Sequence, residues 1–363
     1  MKNWILGLAT GFLLLAGVAA PSAFADQVGG QMGGQMGGQM GGRIEMSERM
    51  VPAPQKGLRI YVRNKHLAGM SAFGPARTLV FVHGATYPAS TAFDLPLGGF
   101  SWMDDLARHG YDVYLLDLPG YGRSTRPPEM DAPASANPPL ETTDQAVAAL
   151  GAVVDDVRER RGLQSLDVMG WSWGTAIAAG FAAANPAKVH RLVLYAPLWV
   201  IEGPIALKID PDHLGAYRQV TRADAEKRWL SGVTPAQQAG LIPPGWFAQW
   251  ADATFATDPK GAAQNPPVLR APNGVMLDIV RYWQKGHPTW DPAKLTMPVL
   301  MVQAEWDHDT PPYMSHALFP LITHAPWKEY VMLGEGTHTI VMEKNRLQLF
   351  HVVRDFLDMP APR

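Results

Sequence analysis

The pentapeptide Gly170-Trp171-Ser172-Trp173-Gly174 constrains this chain more than any other feature, because it joins the apolar run Leu166 to Met169 to the helix-like stretch Thr175 to Ala184. A short apolar run, a turn with glycine at both flanks and an alanine-rich run read as strand, tight turn and helix. Glycine lets the backbone bend sharply while its neighbours pass close by. A serine at the apex of such a turn stands clear of the sheet, so Ser172 is the candidate nucleophile.

Strand and helix signals alternate along most of the chain. Leu58 to Arg63, Thr78 to Val82, Asp112 to Leu116, Leu166 to Met169, Leu192 to Tyr195, Pro298 to Gln303 and Glu329 to Leu333 read as strands, with helical stretches such as Thr142 to Arg161 between them. The fold class this predicts is α/β: a mostly parallel central sheet with helices on both faces, and ligands at the carboxyl ends of the strands. Three such ends carry polar chemistry. His83-Gly84-Ala85-Thr86 follows the strand ending at Val82, Asp307 and Asp309 follow the strand ending at Gln303, and His338 lies on a Gly-flanked loop after Leu333. Of the eleven histidines, His338 alone has that context.

These segments, with Asp117-Leu118-Pro119-Gly120-Tyr121-Gly122-Arg123-Ser124 as a D-x-P-G-x-G-x-S loop, resemble the α/β-hydrolases from about Leu58 to Leu357. The order Ser172, Asp307, His338 is the one that resemblance implies for nucleophile, acid and base, and it differs from the orders of the chymotrypsin and subtilisin groups. Asp307 stands four residues before Pro311, the register the resemblance implies for the acid, and Asp309 is its competitor two residues farther on. The resemblance also implies an oxyanion hole made by the backbone N–H groups of Ala85 and Trp173. It makes His83 a loop-bracing residue. Asp117 is expected to organise its own loop by accepting from nearby N–H groups. A serine on the elbow argues against relatives with a carboxylate nucleophile, such as haloalkane dehalogenases and epoxide hydrolases.

The alternation breaks between about Pro197 and Leu295, a stretch with Trp199, Trp229, Trp246, Trp250, Trp283 and Trp290 and with helical pieces at Thr221 to Leu230 and Val275 to Gln284. It is expected to be an inserted, mainly helical cap over residues 197–295, between hydrolase-core segments 53–196 and 296–363. Most of its tryptophans read as the cap's own small core. Trp171 and Trp199 are the candidates for lining a substrate pocket.

At the amino terminus Lys2, the apolar stretch Trp4 to Ala20 and Ala23-Phe24-Ala25 have the pattern of a bacterial secretory signal peptide, residues 1–25, cleaved after Ala25. The expected destination is periplasmic or secreted, with no stable membrane association after cleavage. The chain has no cysteine, which excludes disulfides and acylation of an amino-terminal cysteine. Residues 26–52 are expected to form a flexible linker, with Gln-Met-Gly-Gly repeated three times between Gly29 and Gly42. The thioethers of Met32, Met36 and Met40 are ligands suited to Cu(I), but nothing in the repeat preorganises them.

With 363 residues, 47% of them hydrophobic, the chain is long enough to bury a full core and a smaller second unit. A net charge of −2 and the lack of a basic run speak against a nucleic-acid partner. No H-E-x-x-H pair occurs and zinc sites that need cysteine are excluded, so no metal and no cofactor are expected. The expected function is that of a serine hydrolase, a carboxylesterase cleaving the ester or lactone of a small, partly hydrophobic substrate. Thioester, amide and carbon–carbon bond hydrolysis stay open. The second reading is a proline-iminopeptidase-like aminopeptidase or amidase, since Trp171-Ser172-Trp173-Gly174 resembles that group's elbow. Against it, the cap's two glutamates, Glu202 and Glu226, lie far apart. A non-catalytic binding protein on the same fold is the third.

Overall fold

A computed structural model describes residues 42–203 and 209–360. The expected signal peptide and residues 26–41 of the expected linker lie outside the described residues.

Ten strands are described: β1 (Ile44–Pro52), β2 (Arg59–Leu67), β3 (Thr78–Val82), β4 (Asp112–Asp117), β5 (Leu166–Trp171), β6 (Val189–Tyr195), β7 (Tyr217–Thr221), β8 (Val268–Pro272), β9 (Val299–Ala304) and β10 (Lys328–Leu333). Eight of them form one sheet in the order β1-β2-β4-β3-β5-β6-β9-β10. The pairs β1–β2 and β2–β4 are antiparallel, and from β4 to β10 every pair is parallel.

The centre of the sheet is dry on both faces. All five residues of β3 are buried, and their side chains divide by the period of two that a strand dictates: Val80 and Val82 join one core cluster, Leu79 and Phe81 the other. The first cluster lies under the helices Thr143–Arg161 and Trp173–Ala184, and the second under Trp102–Arg108 and Arg346–Asp358. The helix Thr143–Arg161 starts at a capping box between Thr142 and Gln145 and stops at Gly162, whose left-handed backbone (φ 67°) favours glycine.

Two parts of the sheet layout were not expected. The segment Ile44–Pro52, assigned by composition to the flexible linker, is instead the edge strand, paired residue for residue with β2. It has no sustained apolar alternation, and its charges are paired, Arg49 with Asp156 and Glu48 with Arg63. Such charged edges oppose pairing with another chain. The segment between β6 and β9 carries, besides its helices, the antiparallel pair β7–β8. Its helices include Arg222–Trp229, Trp246–Phe255 and Gly274–Arg281. Among the described residues no helix is long and apolar enough to cross a membrane.

Candidate active site

Ser172 is the residue between β5 and the helix Trp173–Ala184, and its backbone is left-handed, φ 59° and ψ −124°. A non-glycine residue there stores strain that the surrounding packing must hold. The glycines explain how the packing does so. A methyl group on Gly170 would collide with the Gly174 carbonyl, and one on Gly174 would sit 2.5 Å from the Val82 oxygen and 2.6 Å from the His83 oxygen. Gly84 closes the turn from the other side, where a Cβ would lie 3.0 Å from that of Ser172. The helix that starts after Ser172 has no side-chain cap, so its first N–H groups stay available at the apex.

Asp307 and His338 are brought together. The His338 Nδ1 lies 2.8 Å from the Asp307 Oδ2. The Asp307 carboxylate also accepts from the backbone N–H of Asp309 and of Thr310, both at 2.9 Å, and from Thr310 Oγ1 and Gln303 Nε2, both at 3.0 Å. Five donors fix it in one orientation. The loops that carry the two residues are tied by backbone hydrogen bonds from Glu305 to Leu333 (2.8 Å) and from Trp306 to Gly336 (2.9 Å). The backbone carbonyl of His338 accepts from Trp171 Nε1 at 3.0 Å and from the Tyr195 hydroxyl at 2.7 Å. Trp171 therefore holds the imidazole's own backbone while it lines the cavity above Ser172.

Asp309 faces the other edge of the ring, its Oδ2 3.9 Å from His338 Nε2. Burial pushes the His338 pKa down, but the Asp307 and Asp309 carboxylates outweigh it and hold the imidazole above its ordinary value of 6.5. If neutral His338 is the working base, kcat/KM must fall with acid below a midpoint above pH 6.5. Asp309→Asn removes one of the two anions that favour the charged ring. A pH–rate profile of that variant is expected to show the acid limb moved to lower pH.

Ser172 and His338 line one cavity with Gly84, Tyr87, Arg228 and Trp229. No hydrogen bond joins Ser172 Oγ to the imidazole among the described residues, a spacing that apo sites often show before substrate tightens them. Ala85 and Trp173 line a second cavity with Ser172, and neither of their N–H groups has a hydrogen-bond partner among the described residues. The turn that presents Ala85 is braced by His83, buried and held below its usual pKa by desolvation. Its Nε2 accepts from Leu118 N–H at 3.0 Å, which leaves Nδ1–H to donate to the Gly84 carbonyl at 2.7 Å. Asp117 accepts from Ser90 N–H (3.1 Å) and Arg123 N–H (3.0 Å), and so organises its own loop.

Trp199, expected beside Trp171 at the pocket, is only 4% exposed and packs edge-to-face on Trp290, with ring centroids 5.1 Å apart. It belongs to the core under the insertion and is not among the residues lining the cavities at Ser172. From the insertion, Trp229, Val275 and Ile279 give these cavities apolar walls, Arg228 gives them a charge, and Arg218 braces the turn at Ala85 from outside them. Arg218 of β7 donates to the Ala85 carbonyl, to Thr86 Oγ1 at 2.8 Å and to the Pro272 carbonyl at 2.6 Å. Arg228, on the helix Arg222–Trp229, donates to Asp309 Oδ2 at 2.7 Å and to Thr86 Oγ1 at 2.8 Å. No sequence signal marks them, because an arginine on a short polar helix or strand reads as a solvated one. Trp229 donates to Glu343, a carboxyl that burial pushes up to about 7 and that also accepts from Thr337 N–H at 3.0 Å beside His338. Among the described residues no cluster of three His, Asp or Glu side chains is arranged to hold a metal ion.

A family model described as alpha/beta hydrolase fold matches residues 77–345. Among curated proteins, the chain is 27% identical over 194 residues to one described as "Probable 1-acylglycerol-3-phosphate O-acyltransferase" from Oryza sativa subsp. japonica, covering 51% of this chain and 41% of that one. It is 23% identical over 202 residues to a "Probable proline iminopeptidase" from Streptomyces coelicolor, covering 49% of this chain and 56% of that one. The matched segments thus span about half or less of these relatives. A solved esterase from Thermogutta terrifontis superposes with a TM-score of 0.55 at 16% identity, covering 86% of this chain and 98% of that one. At that identity the likeness is one of fold.

Proposed function

The chain belongs to the α/β-hydrolase fold family, and from that premise we propose that it is a serine hydrolase of carboxylic esters or lactones of small, partly hydrophobic substrates. The observation that carries the reading is the arrangement around Ser172. A strained serine lies in one cavity with an imidazole whose far nitrogen is 2.8 Å from a five-fold-anchored carboxylate.

In this reading Ser172 Oγ attacks the substrate carbonyl and gives its proton to His338 Nε2. Asp307 holds the Nδ1–H tautomer and stabilises the imidazolium that forms. The N–H groups of Ala85 and Trp173 take the oxyanion of the tetrahedral intermediate, each donor being worth about 3 kcal/mol in the transition state. On collapse, Nε2 returns the proton to the departing alcohol oxygen. Water, deprotonated by the same nitrogen, then releases the acid and restores Ser172. The insertion between β6 and β9 acts as the cap that covers this chemistry. The substrate is a small molecule met in the periplasm or outside the cell, and no metal, cofactor or nucleic acid takes part.

The competing reading is the aminopeptidase one, favoured by the likeness to the Streptomyces coelicolor protein. A free α-amino group, however, would meet in the cavity at Ser172 no carboxylate but Asp309, which is already paired with the Arg228 cation. Two chromogenic substrates of similar size separate them, a p-nitrophenyl acyl ester and a prolyl arylamide. The ester is expected to show the higher kcat/KM, and the reverse ranking would replace the esterase reading with the aminopeptidase one.

A further inference from the structure

Two narrow cavities meet at Ser172. The walls of one include Tyr87, Trp171 and Trp229, and those of the other Leu198, Val275 and Ile279. Arg228 and Asp309 belong to both, so their ion pair stands at the junction beside the reacting centre.

The pair is incompletely bonded. Asp309 is a carboxylate whose side chain is 7% exposed, and its Oδ1 is buried with no hydrogen-bond partner among the described residues. Only Oδ2 is engaged, by Arg228 Nε at 2.7 Å. Burial pushes this carboxyl up, but Arg228 and His338 together hold it below its usual range, so it is charged at neutral pH. The neighbouring charges favour the ionised form, but the buried Oδ1 still lacks the hydrogen bond that water would give it. On its side, Arg228 uses Nε and Nη1, and its Nη2 makes no hydrogen bond among the described residues. An acceptor and a donor are therefore left over on two paired residues that line both cavities.

We propose that Asp309 Oδ1 and Arg228 Nη2 together receive a hydroxyl group on the acyl part of the substrate, one or two carbons from the scissile carbonyl. This deepens the serine-hydrolase reading and rests on it. The position follows from the distance, since Asp309 Oδ2 is 3.9 Å from His338 Nε2, the nitrogen that must reach Ser172 and the leaving oxygen. The chemistry follows from the pair. A substrate carboxylate would satisfy Arg228 but be repelled by Oδ1, and an ammonium would satisfy Oδ1 but be repelled by Arg228. A hydroxyl is neutral and both donates and accepts, so it completes both groups at once. The substrate class is thus esters of 2- or 3-hydroxy acids, and lactones that keep a hydroxyl free at one of those carbons.

The test compares methyl 2-hydroxybutanoate, methyl 3-hydroxybutanoate, methyl butanoate and methyl 2-aminobutanoate by pH-stat, with the full chain and with Asp309→Asn. One of the two hydroxy esters is expected to exceed methyl butanoate in kcat/KM by about 10- to 100-fold in the wild type, because the deoxy ester leaves both groups unpaired. In Asp309→Asn that ratio is expected to collapse to within a few fold of one. Reading the ratio against the variant cancels the intrinsic reactivity of the hydroxy esters. A wild-type ratio near one, or one unchanged by Asp309→Asn, would overturn the assignment and leave Oδ1 to a bound water. The highest rate on the amino ester would overturn it in favour of an ammonium. If the wild type is labelled by a fluorophosphonate but shows no hydroxyl preference, only this inference fails; if it is neither labelled nor active on any ester, the hydrolase reading fails with it.

Discussion

Asp307→Asn is expected to lower kcat by about 10⁴-fold while leaving KM within a few fold. The asparagine amide keeps the size of the carboxylate but can present an N–H to His338 Nδ1, and the imidazole then carries its proton on the nitrogen that must accept from Ser172. The existing donors at Asp307 favour this damage. Asp309 N–H and Thr310 N–H are backbone donors fixed on Oδ1, so the amide nitrogen of the variant is driven to the Oδ2 side, where the imidazole lies and where the Thr310 hydroxyl can turn to accept while Gln303 Nε2 loses its acceptor. Asp309→Asn is expected to cost far less on a substrate without a hydroxyl, since it faces Nε2 from 3.9 Å and does not set the tautomer. Steady-state kinetics on one ester checks the ranking, and the opposite order would move the acid to Asp309.

Ser172→Ala is expected to lower kcat by about 10⁶-fold and to leave only the small rate enhancement that binding and an oxyanion hole supply without a nucleophile. The alanine methyl replaces the Oγ without new contacts, yet the left-handed backbone at this position is as uncomfortable for alanine as for serine. Circular dichroism and the urea midpoint of this variant should therefore match the wild type. A variant that retains more than about one hundredth of the ester activity would place the nucleophile elsewhere.

The parallel part of the sheet was legible in the sequence because its strands are buried on both faces. Thr78 to Val82 reads as a short uncharged apolar run, and Leu166 to Met169 as one interrupted only by Asp167. The elbow was legible for a related reason. Gly170, Ser172 and Gly174 are held in place by backbone atoms that leave no room for a Cβ, so the constraint is written in residue identity.

The edge strand β1 was not legible, because an edge exposed to water needs only one good hydrogen-bonding neighbour and is free to carry Glu45, Glu48 and Arg49. Nor were β7 and β8, five residues each, whose sequences contain an arginine apiece and, in β8, a terminal proline. The arginines that β7 and the helix after it deliver to the site were hidden by the same fact. What makes Arg218 and Arg228 functional candidates is the set of acceptors they meet across the fold, Ala85, Thr86, Pro272 and Asp309, and no local pattern encodes that meeting. Trp199 shows the converse error, an aromatic residue near the elbow's helix that serves packing against Trp290 and not the pocket.

The central claim, that Ser172 carries the acyl group, is tested most directly by trapping it. Wild-type protein treated with a fluorophosphonate, digested and mapped by mass spectrometry is expected to carry one adduct, on the peptide that contains Ser172, with loss of ester hydrolysis in proportion to labelling. Ser172→Ala is expected to remain unlabelled under the same conditions. An adduct on another residue, or labelling of the alanine variant at the wild-type rate, would contradict the account.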